Sequence, residues 1–254
     1  MTSPGTALRD LPDPVLEAAL YNWHNTHRLR DQRQDVAFWV ALTKTAARVL
    51  VLGAGTGRVA VPLARAGRTV TAVDLKPARL AVIGACPNLV TVCGDMRRLP
   101  LCRARFDAAV VPYSTFQALP GPADRTAALA EAARVLTPDG TLHLDVSTSF
   151  DLRPAAPWRL VLSAPFPPAD VIVEEWERST QDDDHVLLEK SFRSHGRVLL
   201  QLTERWAHFH ALDLETNLPD AGFTITKVDH GYGTPTHRRI YHCVLRPREN
   251  GAPR

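Results

Sequence analysis

The stretch Val49-Leu-Val-Leu-Gly53-Ala-Gly55-Thr-Gly57-Arg58 decides how this chain folds. Its four leading apolar residues predict a short buried strand, and that run stops at a cluster of three glycines. Glycine permits the tight turn and the close approach of backbone to a ligand that such a loop requires. Val59 to Ala66 then predicts a helix, and Gly67 stands just past its end. We therefore expect a strand, a glycine-rich loop and a helix in succession.

Strand and helix patterns alternate after this loop, which predicts a doubly wound, Rossmann-like α/β sheet. The last two strands are joined by a short loop without a helix, so the last strand should run antiparallel to its neighbours. A Thr137-Pro-Asp-Gly140 turn should precede the fifth strand. The predicted strands are Thr69–Val73, Leu89–Val92, Phe106–Val111, Thr141–Val146, Thr224–Val228 and Ile240–Leu245, and the predicted helices are Pro77–Gly84, Ala123–Leu136 and Leu212–Ala221.

Two segments depart from this alternation. Pro14 to Thr45 shows apolar residues at helical spacing and predicts two helices that form a cap. Between 150 and 210 the pattern indicates an inserted antiparallel lid, in which the proline-rich stretch Pro154–Pro168 is expected to be loop or lid and three strands follow it. These strands are Val171–Glu177, His185–Phe192 and Arg197–Phe209. We divide the chain into 1–45 (tail and helical cap), 46–149 (cofactor-binding core), 150–210 (substrate lid) and 211–254 (end of the core sheet and tail).

Composition narrows the functional class. The chain has 254 residues, 45% of them hydrophobic and 22% charged, and a net charge of +3. No basic stripe is present, which argues against nucleic acid as a partner. No apolar stretch reaches the length of a membrane span, so no membrane partner is expected. The four cysteines form no close pair, so no metal site is predicted, and we expect a cytoplasmic protein.

The spacing of the glycines separates two kinds of cofactor. Asp74 ends the second strand, where an acidic side chain can accept the hydroxyls of a ribose. A dinucleotide enzyme would place its third glycine at position 58, which is Arg here. The glycines at 53, 55 and 57 give GxGxG instead, a form that fits a cofactor without a pyrophosphate.

Several further motifs accompany this loop. With Gly94-Asp95-Met96 after strand three and Phe106-Asp107 opening strand four, the chain resembles a class I S-adenosylmethionine (SAM)-dependent methyltransferase. Asn22, where Asp is commoner, and Asp139-Gly140 in place of Gly-Gly depart from the pattern without touching a cofactor contact. A large bacterial group of small-molecule methyltransferases is similar over Tyr21-Asn-Trp-His24, Tyr113-Ser-Thr-Phe-Gln-Ala-Leu119, Leu136-Thr-Pro-Asp-Gly140 and Ala221-Gly-Phe223.

The resemblance implies a set of cofactor contacts, residue by residue. The glycine loop would line the methionine and ribose, Asp74 would bind the ribose hydroxyls, and Asp95 would receive the adenine amino group. Aromatic cover would come from Tyr21, and Arg58 would meet the cofactor carboxylate. The implied cofactor-binding residues are Tyr21, Gly53, Ala54, Gly55, Gly57, Arg58, Asp74, Leu75, Asp95, Met96, Pro112 and Tyr113.

Methyl transfer requires the acceptor, the methyl group and the sulfur in line, with water excluded. A hydroxyl or ammonium acceptor must also lose a proton, so a base near the carboxyl ends of the strands would help. Candidate catalytic residues are Tyr113, His208 and His24. Period two places His208 on the face of its strand that carries Trp206. Candidate substrate-binding residues are His24, His27, Tyr113, Arg205, His208 and Tyr232.

These features predict methyl transfer from SAM to a nitrogen or oxygen of a small-molecule acceptor in specialised metabolism. The cofactor product would be S-adenosylhomocysteine, and we expect a monomer or homodimer. The alternatives are a SAM-fold protein with other chemistry, such as a cyclisation, and a cofactor-binding regulatory module. A nucleic-acid methyltransferase is disfavoured. Val110-Val-Pro-Tyr113 has one proline and no acid or amide where those enzymes carry a D/N-P-P-Y type motif.

Overall fold

A computed structural model describes residues 8, 11–28, 34–149, 157–167, 171–234 and 236–246. The expected N-terminal tail, the C-terminal tail beyond 246 and the first part of the expected Pro154–Pro168 loop lie largely outside these residues. The helices are α1 (Asp13–Arg28), α2 (Gln34–Leu42), α3 (Ala60–Arg65), α4 (Pro77–Ile83), α5 (Pro122–Val135) and α6 (Leu214–Asp220). Within the described ranges, no helix is both long and apolar enough to cross a membrane.

A seven-stranded sheet holds the strands of the predicted core. Its strands are β1 (Arg48–Leu52), β2 (Thr69–Asp74), β3 (Leu89–Cys93), β4 (Phe106–Val111), β5 (Leu136–Ser147), β10 (Phe223–Asp229) and β11 (Arg238–Leu245). They lie in the order β10-β11-β5-β4-β1-β2-β3. Strands β1 to β5 pair in parallel, whereas β11 runs antiparallel to both β5 and β10. The predicted doubly wound sheet with a reversed last strand is confirmed.

Alternate side chains of β1 pack into two separate layers of the core, one on each face of the sheet. Leu50 and Leu52 pack with the cluster that includes α5 and α6, while Val49 and Val51 pack with the cluster around Trp39 and α3. These four side chains of β1 are buried because helices cover both faces of a parallel sheet.

The expected turn at 137–140 is absent, because these residues belong to β5. The register between β4 and β5 shifts after Phe106, and Asp139 adopts a left-handed φ of 62°. The proline and glycine of this segment therefore mark an irregularity within a strand and not a break before it.

The lid is a separate four-stranded antiparallel sheet in the order β6-β7-β8-β9. Its strands are β6 (Arg159–Phe166), β7 (Val171–Gln181), β8 (His185–Ser194) and β9 (Arg197–Ala207). Residues 159–166 were expected to be loop or lid, and they form the strand β6 of this lid sheet. Pro165 lies in this strand, and because β6 is an edge strand, the missing N–H removes no ladder bond from the interior of the sheet.

Helix α1 connects the lid to the core. On one side its Leu20 and Trp23 pack against Val173 and Phe192 of the lid, and the Trp23 indole N–H donates to the Pro165 carbonyl at 2.9 Å. On the other side Glu17 pairs with Arg79 of α4. The predicted cap helix therefore lies between the lid and the carboxyl end of the core sheet.

Candidate active site

A cavity of about 370 Å³ opens at the carboxyl ends of β1, β2 and β4, between the core, α1 and the lid. This edge is where open α/β sheets bind their ligands. Nine predicted site residues line it: Tyr21, His24, Gly53, Ala54, Arg58, Asp74, Pro112, Tyr113 and Arg205.

The glycine loop is shaped for close contact. Gly53, Gly55 and Gly57 have φ values of 69°, 54° and 86°, which side chains rarely tolerate. A Cβ at Gly53 would lie 2.1 Å from the Thr115 Cγ2, and one at Gly55 would lie 3.0 Å from the Tyr21 ring. Both positions therefore require glycine for their backbone conformation and for the neighbour that approaches them.

Asp74 is fixed by the backbone around it. The Gly55 N–H donates to its Oδ2 at 2.8 Å, and the Lys76 N–H donates to its Oδ1 at 2.9 Å. A carboxylate offers about four lone-pair positions, so each oxygen keeps one that is not used. The side chain thus has a fixed direction and remaining capacity to accept two hydroxyl protons at the cavity wall.

Tyr21 closes the cavity from α1. The guanidinium of Arg79 lies 3.7 Å from the centroid of the Tyr21 ring. Arg79 also pairs with the buried Glu17, which receives a second bond from the Lys76 ammonium at 3.1 Å. This charged cluster holds α1 against α4 and the Tyr21 ring beside Gly55.

The turn after β4 has an unusual backbone. Tyr113 and Ser114 adopt φ values of 54° and 62°, although neither is glycine. The Tyr113 N–H donates to the Asp145 Oδ2 at 2.8 Å, and the Ser114 N–H donates to the Asp145 carbonyl at 3.1 Å. Strained residues of this kind persist where surrounding contacts fix them, and such residues cluster at functional sites.

Asp145 is the centre of the network that fixes this turn. Its fully buried carboxylate also accepts the Arg238 Nε–H at 2.7 Å and the Tyr232 hydroxyl. Arg238 in turn donates to the Ser114 hydroxyl at 2.9 Å. Tyr232 therefore supports the turn from behind, and it is not among the residues that line the cavity within the described part of the chain.

The Tyr113 ring lies close to two guanidinium groups. The guanidinium carbons (Cζ) of Arg58 and Arg238 lie 5.0 and 4.9 Å from the centroid of the ring. Burial raises the pKa of the Tyr113 phenol, against the opposing effect of these two cations, so the hydroxyl stays protonated at neutral pH. Arg58 also pairs with the buried Asp35 of α2, which holds its side chain at the cavity wall.

The lid contributes a polar wall. Lys190 of β8 and Glu204 of β9 pair at 3.2 Å and line the cavity with Arg205 and Trp206. Burial lowers the pKa of Lys190, but Glu204 and two other carboxylates outweigh it, and the net effect is a raised pKa. Neither Lys190 nor Glu204 is among the site residues predicted from the sequence. Alternation along β8 would have placed Lys190 on the same face as the buried Val186 and Phe192.

Several predicted contact residues lie elsewhere. β9 ends at Ala207, so His208 does not continue the face that carries Trp206. Its N–H donates to the Asp184 carbonyl at 2.7 Å, and its ring stacks on His210. The His27 ring contacts Trp23, and its Nδ1 lies 2.9 Å from the Trp23 carbonyl. Neither histidine is among the cavity-lining residues within the described ranges.

The predicted adenine contacts also stand apart from the cavity lining, as far as the structure describes the chain. Asp95 pairs with Arg97 at 2.6 Å, and hydrogen bonding from Arg97 lowers its pKa. Met96 packs against the core, whereas Leu75 is 65% exposed at the end of β2. The roles of these residues toward adenine stay predictions.

Part of the chain is similar to known methyltransferases. Residues 49–140 match the sequence family described as a methyltransferase domain. An uncharacterized methyltransferase of Mycobacterium tuberculosis, Rv3342, is 38% identical over 104 residues, which are 41% of each chain. The demethylmenaquinone methyltransferase of Mycolicibacterium gilvum is 36% identical over 41% of this chain and 46% of that protein. The match thus spans less than half the length of these curated relatives.

Solved structures extend the likeness to most of the fold. CcbJ methyltransferase of Streptomyces caelestis has a TM-score of 0.72 at 22% identity, with 85% of this chain and 90% of that chain covered. The sugar N-methyltransferase KedS8 of Streptoalloteichus has a TM-score of 0.72 at 21% identity, with 89% and 93% covered. CalS10, an amino pentose methyltransferase of Micromonospora solved with SAM bound, has a TM-score of 0.65 at 23% identity, with 85% and 90% covered. The family match confirms the expected resemblance to methyltransferases, and the solved structures extend the likeness of the fold to most of the chain.

Proposed function

We propose that this chain, whose residues 49–140 match a methyltransferase domain, transfers a methyl group from SAM to a nitrogen or oxygen of a small-molecule acceptor. The observation that carries the proposal is the cavity that joins the glycine loop and Asp74 to a tyrosine turn, under a cap helix and a polar lid wall. Residues expected to contact the cofactor and residues expected to contact the acceptor line the same cavity, which suits a transfer between two bound molecules.

The residues at this cavity fit SAM. Gly53 and Ala54 offer backbone at the cavity wall, and Asp74 keeps lone pairs for the two ribose hydroxyls. The loop has no third glycine at position 58 for a pyrophosphate, and Arg58 supplies a cation for a carboxylate. When bound, SAM supplies a methyl group on a positively charged sulfur. The product is S-adenosylhomocysteine.

The protein's own contribution is to orient the reactants and exclude water. Pro112 and Tyr113 directly follow β4 beside the glycine loop, and the protonated phenol can donate a hydrogen bond to the acceptor. Tyr21 and α1 cover the cofactor side. We assign to His24, at the cavity wall, the role of taking a proton from an ammonium or hydroxyl acceptor.

The lid, residues 150–210, would select the acceptor. Lys190, Glu204 and Arg205 give it charged groups that suit a polar molecule. KedS8 is by name a sugar N-methyltransferase and CalS10 an amino pentose methyltransferase, which supports a polar acceptor and a role in specialised metabolism. We place the protein in the cytoplasm, in keeping with four free cysteines, and expect a monomer or homodimer.

Turnover tests this proposal. The purified protein is incubated with SAM and a panel of amino sugars, glycosides and phenols, and S-adenosylhomocysteine is measured by mass spectrometry with the methylated product. We expect stoichiometric formation of both from one class of acceptor. Tight SAM binding without product from any class would contradict a methyl-transfer role and favour the regulatory or non-methylating alternative.

A further inference from the structure

A buried carboxylate lies directly behind one of the cavity residues. Glu175 of β7 is 0% exposed, and its two oxygens lie 2.7 and 3.0 Å from the Nδ1 of His24. His24 comes from α1 and lines the cavity, whereas Glu175 is not among its lining residues in the described part of the chain. The pair therefore joins a histidine at the cavity to an acid that the cavity does not reach.

This geometry selects one form of the neutral imidazole. A carboxylate accepts hydrogen bonds, so the nitrogen that faces it must carry the proton. The other nitrogen, Nε2, is then the one with a free lone pair. In the opposite tautomer two acceptors would face each other at 2.7 Å, at a carboxylate that has no access to water.

The charges around the pair keep Glu175 ionised. Burial raises the pKa of Glu175, but His24, Lys190 and Arg28 lower it, and the net effect is a lowered pKa. Lys190 also pairs with Glu204, and the Arg28 guanidinium (Nη1) lies 3.1 Å from the Glu177 carboxylate (Oε1). The cations Arg28 and Lys190 thus lie near the carboxylates Glu175, Glu177 and Glu204. The ionised Glu175 can therefore accept the hydrogen bond of the imidazole.

We propose that Glu175 is a positioning residue, which holds His24 with Nδ1 protonated so that Nε2 accepts the proton of the acceptor. The acceptor's N–H or O–H bond breaks, the proton moves to Nε2, and the electron pair stays on the attacking atom. The imidazolium that results is stabilised by the carboxylate. This inference rests on the proposed function for the identity of the proton donor, but the tautomer itself does not.

The tautomer is measured directly by nitrogen NMR on protein labelled with ¹⁵N-histidine, at a pH where the ring is neutral. His24→Asn assigns the signal. We expect Nδ1–H and bare Nε2 in the wild type, and loss of this preference in Glu175→Gln, because the amide can both donate and accept. Glu189→Gln, which removes an exposed partner of Arg178 on the same sheet, should leave the signal unchanged. A wild-type ring with Nε2 protonated, or an unchanged tautomer in Glu175→Gln, would overturn the inference.

Kinetics separates proton transfer from a structural tie between α1 and the lid. The amide of His24→Asn can still donate to Glu175, but it has no Nε2. We expect kcat to fall about 100-fold in His24→Asn and about 10-fold in Glu175→Gln, with acceptor KM and SAM Kd near wild type. An unchanged kcat in His24→Asn would overturn the role in proton transfer. Failure of the proposed function would appear differently, as a wild type that makes no product while the tautomer result holds.

Discussion

Asp145→Asn should destabilise the protein strongly, although asparagine and aspartate have nearly the same shape. Three donors converge on the Asp145 carboxylate: the Arg238 Nε–H on one oxygen, and the Tyr113 N–H and Tyr232 hydroxyl on the other. Asparagine replaces one of these oxygens with an NH₂ group. Whichever way the amide faces, a donor then meets a donor in a site with no access to water.

The magnitude follows from the burial of the charge pair. The Arg238 side chain is 17% exposed, and Asp145 is its carboxylate partner at 2.7 Å. Removing one member of a buried pair costs about 3–5 kcal/mol, because the other charge stays buried without compensation. A chain of this size loses about 2–4 °C in Tm for each kcal/mol, so Tm should fall by about 6–20 °C.

Urea unfolding and scanning calorimetry measure both quantities. Glu189→Gln is the matched control, since it removes the same kind of group from the exposed pair with Arg178 and should leave Tm nearly unchanged. If the free energy of unfolding of Asp145→Asn fell by less than about 1 kcal/mol, the buried pair would not stabilise the fold as argued, because solvent-exposed ion pairs contribute about that much.

Three other changes test separate parts of the account. Gly53→Ala should weaken SAM binding because its Cβ would meet Thr115, whereas Gly67→Ala, with a similar positive φ and open space, should leave Kd unchanged by calorimetry; equal losses would contradict the close-packing argument. Burial and a neighbouring histidine lower the pKa of His143 to about 3. Because His143 in the unfolded chain has its ordinary pKa of about 6.5, the unfolded chain takes up this proton first as the pH falls. The free energy of unfolding therefore decreases from about pH 6.5 down to about pH 3. Urea unfolding should show about 1.4 kcal/mol less stability at about pH 5.5 than at about pH 7.5 from this group, a difference absent in His143→Gln. His208→Ala should change kcat/KM by less than about twofold, because the ring stacks outside the cavity lining; a larger loss would return His208 to the site.

The sheet was predictable because its signals are local. The run from Val49 to Leu52 ends at glycines and is buried on both faces, so periodicity and loop chemistry indicate the same element. β6 was missed because Pro165 indicates a loop unless the strand is known to lie at an edge, and edge position depends on its pairing with β7. His208 was misplaced because the end of β9 is set by a turn to Asp184, which alternation along one strand does not report.

Much of the candidate site depends on contacts between distant parts of the chain. The glycine loop and Asp74 lie 19 residues apart within one strand–helix–strand unit, and the sequence predicted both. Arg238 meets Asp145 across 93 residues, and His24 meets Glu175 across 151. Such pairs form only when the cap, the lid and the last strand pack on the core, so no local pattern could indicate them.

The most direct test of the central claim is calorimetric titration of SAM and of NAD into the wild type and Asp74→Asn, with thermal melting to show that both are folded. We predict SAM binding to the wild type, a large loss of affinity in Asp74→Asn, and no comparable binding of NAD, because Arg58 stands where the dinucleotide fingerprint has its third glycine. A preference for NAD, or SAM binding that Asp74→Asn leaves unchanged, would contradict it.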